Sequence, residues 1–284
     1  MWTVAKDTLE VKMIATETNA QISNMAVNHQ IQRVKDWLSP PEPSINFNKA
    51  LKQRHGSTGQ WFLESELYQS WKSTPNAFLW LYARPGCGKT VLSSTVIEDL
   101  RTSDAGSKTV LYFYFTFNDV SKQSAENMLR SLAFQLYVSV PRSRDLLDRA
   151  LCAQQPSFHS LCDIFTKMIQ AAGPVAIVLD ALDECSQRDG TVQDALSWVK
   201  SFRTWAANVH LLITSRNEDH IRSMLDTWVQ VTETLELRGE MINSDISHYV
   251  HDAVRTHDGL KRWRAQPAVQ DEIEQTLVEK ADGM

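Results

Sequence analysis

Between an apolar strand candidate, Ala77 to Tyr82, and a helical stretch, Thr90 to Arg101, the chain reads Ala83-Arg84-Pro85-Gly86-Cys87-Gly88-Lys89-Thr90. A strand, a glycine-bearing loop and a helix in that order form the context that a Walker A phosphate loop requires. Glycines at 86 and 88 let successive main-chain N–H groups turn inward around an anion, at positive φ and with no Cβ in the way. Pro85 stiffens the entry to the loop. The helix that follows brings about half an elementary positive charge at its N-terminus to the same place. Lys89 supplies a mobile cation for the β and γ phosphates, and the Thr90 hydroxyl is a ligand for Mg²⁺. The expected nucleotide-contact set runs from Ala83 through Val91, for ATP or GTP. Ala83 stands where glycine is commoner, and alanine fits there if its φ is negative.

The rest of the chain supplies a fold for this loop. Further strand candidates, Val110 to Phe117, Val175 to Leu179 and Val209 to Thr214, alternate with helical stretches at Ser124 to Val138, Ser157 to Ala171 and Thr191 to Ala206. That alternation predicts a three-layer α/β/α fold with a mostly parallel sheet. Right-handed crossovers place all strand C-termini on one edge, where open α/β sheets bind ligands. Beyond Arg216 only Leu235 to Leu237 reads as a strand, and the remainder is polar and helical.

Two more motifs fall on that edge. Val175-Ala176-Ile177-Val178-Leu179 ends in Asp180, followed by Ala181-Leu182-Asp183-Glu184-Cys185. A carboxylate ending a buried strand about 90 residues after the phosphate loop is the Walker B position, and Asp180 is assigned to Mg²⁺ beside Thr90. Ala181 occupies the place where many related ATPases carry the water-activating glutamate. The catalytic base is therefore Asp183 or Glu184, with Glu184 favoured for its reach. Val209 to Thr214 leads into Ser215-Arg216, so the Arg216 guanidinium stands at another strand end, where it can stabilise charge on a transferring phosphoryl group. Arg130, within a helical stretch, is a weaker candidate for the same task.

Composition narrows the classes of partner. With 43% hydrophobic and 22% charged residues the chain has the make-up of an ordinary folded protein. A net charge of −5 gives no global basic field, so neither nucleic acid nor a membrane is an expected partner. The four cysteines, Cys87, Cys152, Cys162 and Cys185, form no C-x-x-C pair and are expected as reduced thiols in a cytoplasmic protein. Lys6, Asp7 and Glu10 interrupt any apolar signal segment. The longest apolar run, Ala77 to Ala83, is far short of the roughly 20 residues that span a bilayer.

Thr8 to Leu38 holds no Gly or Pro and places Ile14, Ile22, Met25, Ile31, Val34 and Leu38 at helical spacings, predicting one or two amphipathic helices. Residues 39 to 44 (SPPEPS) form a linker, because proline lacks an N–H and restricts the residue before it. Thr58 to Trp71 predicts one short helix leading into the first strand. Tyr112-Phe113-Tyr114-Phe115 reads as a central strand. His248 and His251, beside Asp245 and Asp252, read as a solvated helix face, and Lys261-Arg262-Trp263-Arg264 as an exposed helix surface.

Together LYARPGCGKT, VAIVLDALDEC and LLITSR resemble the NACHT nucleotide-binding domain of STAND-class P-loop NTPases. The stretches WLSPPEPSINFNKALKQRHGSTGQWFL and FLWLYARPGCGKT resemble its nephrocystin-type N-terminal variant, found in fungal ankyrin-repeat and incompatibility proteins. The likeness covers roughly residues 37 to 284. It implies an N-terminal helical segment with its linker over 1–45, a NACHT P-loop domain over 46–230 and a partial helical domain over 231–284. It also implies a slow signalling switch in innate-immunity-like assemblies: ADP in the resting state, ATP in the open state, slow Mg²⁺-dependent hydrolysis, and protein partners or self-association through the module. The alternative is a non-hydrolysing, nucleotide-bound scaffold or a truncated partner of a larger STAND protein. Such relatives continue into a winged-helix domain and repeats, whereas this sequence ends at Ala281-Asp282-Gly283-Met284. By the same likeness, the loop near Arg54 and Thr58-Gly59 lies against the base.

Overall fold

Short runs of branched and aromatic residues that are apolar at every position can be strands only if both faces are covered. The computed structural model, which describes residues 2–103, 107–151, 155–187, 191–205 and 208–281, arranges them so. Strands β1 (Phe78–Tyr82), β2 (Thr109–Tyr114), β3 (Val175–Asp180), β4 (Val209–Ser215) and β5 (Thr234–Glu236) form one all-parallel sheet in the order β2-β3-β4-β1-β5. Successive side chains alternate between two cores. Trp80, Phe113, Ile177 and Ile213 enter one, and Leu81, Tyr112, Val178 and Leu212 enter the other.

The helices complete the outer layers. Against the first core lie α6 (Ala125–Ser139), α7 (Arg144–Ala150), α8 (Phe158–Ala172), α9 (Thr191–Trp205) and α10 (Asp219–Leu225). Against the second lie α2 (Ser44–Gln53), α3 (Gln60–Leu63), α4 (Glu66–Ser73) and α5 (Lys89–Thr102). The buried residues of α5, Leu92, Val96, Ile97 and Leu100, recur at helical spacing, which lays this helix flat on the sheet with its N-terminus at the strand C-terminal edge. After β5, α11 (Gly239–Thr256) and α12 (Pro267–Ala281) pack against each other, and Ile242 of α11 joins the second core. Among the described residues no helix is long and apolar enough to cross a membrane.

Several expectations are corrected. The aromatic run lies on β2, which is an edge strand and not a central one. Its rings are nonetheless buried: Phe113 and Phe115 enter the first core, Tyr112 and Tyr114 the second, where Phe47 of α2 packs 5.3 Å from the Tyr112 ring and the Arg101 guanidinium lies 4.9 Å from it. Thr58 to Trp71 is two helices, α3 and α4. Ser65 breaks it: its hydroxyl accepts from Tyr68 N at 3.2 Å and caps the second helix. The linker is shorter than expected, since α2 starts at Ser44 directly after Pro43.

The N-terminus forms a single helix, α1 (Trp2–Leu38). Only its C-terminal end is amphipathic in effect: Val34 and Leu38 are fully buried, whereas Ile22 and Met25 are exposed, and the Ile14 side chain and Cys152 lie outside the described residues. Arg130 fixes that end. Its Nη1 donates to Leu38 O at 2.9 Å and its Nη2 pairs with Glu126 at 2.5 Å, so this buried guanidinium ties the end of α1 to α6. Arg130→Met strands the buried Leu38 carbonyl, a penalty of about 1–3 kcal/mol. The expected outcome is a lower urea midpoint, and an unchanged midpoint would show that the tie contributes nothing.

Candidate functional site

Three loops converge at the C-terminal edge of the sheet, from β1, β3 and β4. The first runs from Ala83 into α5. Gly86 and Gly88 have φ of 85° and 74°, both left-handed, and Ala83 is absent from the positive-φ residues, as an alanine there requires. A Cβ on Gly88 would meet nothing within 4 Å, so torsion alone demands glycine at that point. Gly88 is the N-cap of α5 and offers no side chain to its first amides, which remain turned toward the loop. Lys89 folds back over the loop, its Nζ donating to Ala83 O at 3.0 Å and Arg84 O at 2.9 Å. Burial lowers the Lys89 pKa, and the carboxylates of Asp183 and Asp180 oppose that shift.

Asp180 ends β3 and is almost completely buried. Three hydroxyls converge on it: Thr90 donates to Oδ2 at 2.7 Å, while Ser93 and Thr214 donate to Oδ1 at 2.6 and 2.8 Å. Burial raises the Asp180 pKa, and the three hydroxyls pull it back toward the charged form. Ser93 and Thr214 were not read from the sequence. Ser93 lies one helical turn after Thr90 and Thr214 ends the neighbouring strand, so the signal existed as position and not as a motif. Oxygen donors from Thr90 and Asp180, beside a glycine loop that carries Lys89, fit a hard divalent cation.

The chain leaves β3 through Ala181 in the left-handed region, φ 56° and ψ 50°. A non-glycine residue held there is strained by about 1–2 kcal/mol. Its N–H is satisfied by Thr214 Oγ1 at 2.9 Å. The turn brings in Asp183 and Glu184, which the structure uses differently. Asp183 is buried and accepts from Arg216 N at 2.9 Å, with Arg216 Nε 3.0 Å from its Oδ2. Two of the residues singled out by the sequence are therefore paired with each other. Glu184 accepts from Phe117 N at 3.0 Å, and burial raises its pKa.

Two cavities flank the loop. One, of about 620 Å³, opens among Ala83, Arg84, Pro85, Cys87, Arg216 and Arg238. The other, about 710 Å³, lies between the loop and α11, with Gly86, Cys87, Gly88 and Val91 on one wall and Ile246 and Tyr249 on the other. His55, Thr58 and Gly59 line the second cavity, while Arg54 pairs with Glu98 of α5. Arg238 and the α11 residues were also missed in the sequence, which carried no motif for them. His251 pairs with Glu274 at 3.1 Å, and Cys87, Cys162 and Cys185 are free thiols.

Glu184 gives a pH test. A carboxyl whose folded pKa is raised above its ordinary 4.5 destabilises the fold while ionised, and the loss fades as pH falls through the folded pKa toward that value. Glu184→Gln keeps an acceptor for Phe117 N and removes the charge. Its thermal midpoint is expected above wild type at pH 7 to 8, with the gain vanishing near pH 4.5; a gain that is constant across pH would remove burial as the cause.

A family model described as "Nephrocystin 3, N-terminal" matches residues 57–216, more than half of the 284 residues and every strand-end group above. Among curated proteins the chain is similar to the vegetative incompatibility protein HET-E-1 of Podospora anserina, at 25% identity over 205 residues. That match covers 68% of this chain and 15% of the relative, so the chain spans a small part of that protein's length. Among solved structures it is similar to Cdc6p from Pyrobaculum aerophilum, with a TM-score of 0.41 and 15% identity, covering 67% of this chain and 47% of that one.

Proposed function

The chain belongs to the nephrocystin 3, N-terminal family, and from that premise we propose that it is a nucleoside-triphosphate-binding switch module of the NACHT type that hydrolyses ATP or GTP slowly. The observation that carries this reading is the link of Thr90 to Asp180 at 2.7 Å, directly after a loop with two left-handed glycines. In this reading the amides of residues 86 to 90 bind the β and γ phosphates, and Lys89 turns from the Ala83 and Arg84 carbonyls to meet them. Thr90 and Asp180 would hold Mg²⁺, which when bound neutralises charge on the β and γ oxygens. The Arg216 guanidinium, fixed by Asp183, is a planar cation beside the loop.

Because Asp183 is tied to Arg216, Glu184 is the candidate for orienting water and taking its proton. Its raised proton affinity suits that task. Hydrolysis to the diphosphate would then reset a signalling switch that acts through protein partners or through a further copy of the module. One observation favours a second reading, a nucleotide-bound scaffold without turnover: the Glu184 carboxylate is itself held by Phe117 N.

Lys89→Ala removes one charge-assisted contact to phosphate, worth about 1.5–3 kcal/mol or roughly 10- to 150-fold in Kd. Calorimetric titration with Mg²⁺-ATP and Mg²⁺-GTP checks this, and wild-type protein that binds neither would end both readings. In binding-competent protein, turnover that is lost in Glu184→Gln and kept in Asp183→Asn supports the enzyme. Wild-type protein that binds without turnover supports the scaffold.

A further inference from the structure

The second cavity is bordered by a contact that the binding chemistry does not need. Asp245, on α11, reaches across to the segment before the phosphate loop, where its Oδ2 accepts from Gly59 N at 2.9 Å and Trp61 Nε1 at 3.0 Å. Asp245 lies 186 positions from Gly59 and 184 from Trp61, so no local folding preference creates the contact. Two donors on a single oxygen fix the carboxylate, and a charged acceptor makes both bonds stronger than neutral ones.

Asp245, Tyr249 and Asp252 follow each other at spacings of four and three, hence along one face of α11. All three grip the same short segment. His55 Nε2 lies 3.0 Å from Asp252 Oδ2, and the His55 ring meets Tyr249 edge-on at 6.1 Å. The neighbouring stripe of α11, Ile242, Ile246 and Val250, roofs the cavity. On the body side Gly59 is pressed onto α5. A Cβ at Gly59 would come within 3.0 Å of Leu92 Cδ1 and 3.4 Å of Thr95 Cγ2, and its φ of +81° admits only glycine without strain. The carboxylate of Asp245 therefore connects α11 to the helix that begins with the phosphate loop, through one rigid glycine.

We propose that Asp245 is a latch: a positioning residue that holds α11 and α12 down over the cavity beside Gly86 and Gly88 and so sets how long a nucleotide stays bound. This rests on the reading of the loop as a nucleotide site. Lifting α11 widens the exit for a molecule lodged between loop and helix, and it breaks both bonds to Asp245 at once. The same bonds are made in protein free of nucleotide, so entry needs the same lifting. The latch thus slows association as well as release.

The test is stopped-flow release of N-methylanthraniloyl-labelled ATP and GTP from wild type, Asp245→Asn and Asp245→Ala, with hydrogen exchange on the same proteins free of nucleotide. Loss of two bonds to a partly exposed charge gives an expected acceleration of release of about 10- to 100-fold in Asp245→Ala. Association is expected to quicken in Asp245→Ala as well, since entry needs the same opening and a required conformational change slows association. Asp245→Asn keeps an acceptor oxygen and is expected between the two. Faster exchange is expected at peptides covering residues 57 to 62 in Asp245→Ala. Equal release rates in all three proteins overturn the latch, as does a lower thermal midpoint unaccompanied by faster release. If wild type binds neither labelled nucleotide, the functional reading fails, and exchange alone decides the contact: protection at Gly59 that is unchanged in Asp245→Ala overturns it.

Discussion

The buried carboxylate of Asp180 is the interaction on which the rest of the site depends. A charge at the end of a fully buried strand is costly unless it is hydrogen-bonded, and here three hydroxyls from two other elements meet that need. Thr90 and Ser93 come from α5 and Thr214 from β4, so satisfying one carboxylate fixes α5 against β3 and β4. That in turn fixes the loop that precedes α5. Electrostatic demand at one carboxylate thereby determines where the loop of residues 83 to 88 stands relative to Asp180.

The strand order makes this arrangement possible. With β4 between β3 and β1, Asp180 stands one strand away from the loop that follows β1, and the gap is filled by Thr214 and then by Arg216 as β4 ends. Asp183 returns from the left-handed turn at Ala181 to hold Arg216 by both its backbone N–H and its guanidinium. Strain at Ala181 is consistent with a turn shaped by those two contacts, because no glycine is present to relax it. The same edge therefore carries cation, carboxylate and hydroxyl in fixed relation, with few degrees of freedom left to the side chains.

Much of this was legible in the sequence, and the reasons are physical. Strand and helix positions followed from apolar runs bounded by turn residues. Gly86 and Gly88 could be placed because positive φ restricts residue type. Asp180 was visible as a charge ending an apolar run. What escaped was whatever depends on contacts distant in sequence. The Tyr112 run looked central because it is apolar on both faces, yet it lies at the sheet edge, where two cores bury it and Phe47 and Arg101 cover Tyr112. Ser65 interrupts an otherwise helical pattern by a single cap. The pairing of Asp183 with Arg216, and the grip of Asp245 on Gly59, leave no local pattern, since each joins residues whose own neighbourhoods are unremarkable.

The central claim is that main-chain amides at residues 86 to 90 wrap a polyphosphate whose metal faces Asp180. Amide resonances of a chain isotopically labelled at its glycines test it most directly, with Mg²⁺-ADP added first and Mn²⁺ then exchanged for Mg²⁺. Large shifts confined to Gly86 and Gly88 and their neighbours, followed by paramagnetic broadening of the same signals and none at Gly173 on the far edge of the sheet, are the result this account expects. Glycine resonances at 86 and 88 that stay in place at saturating nucleotide, or broadening centred elsewhere, would contradict it.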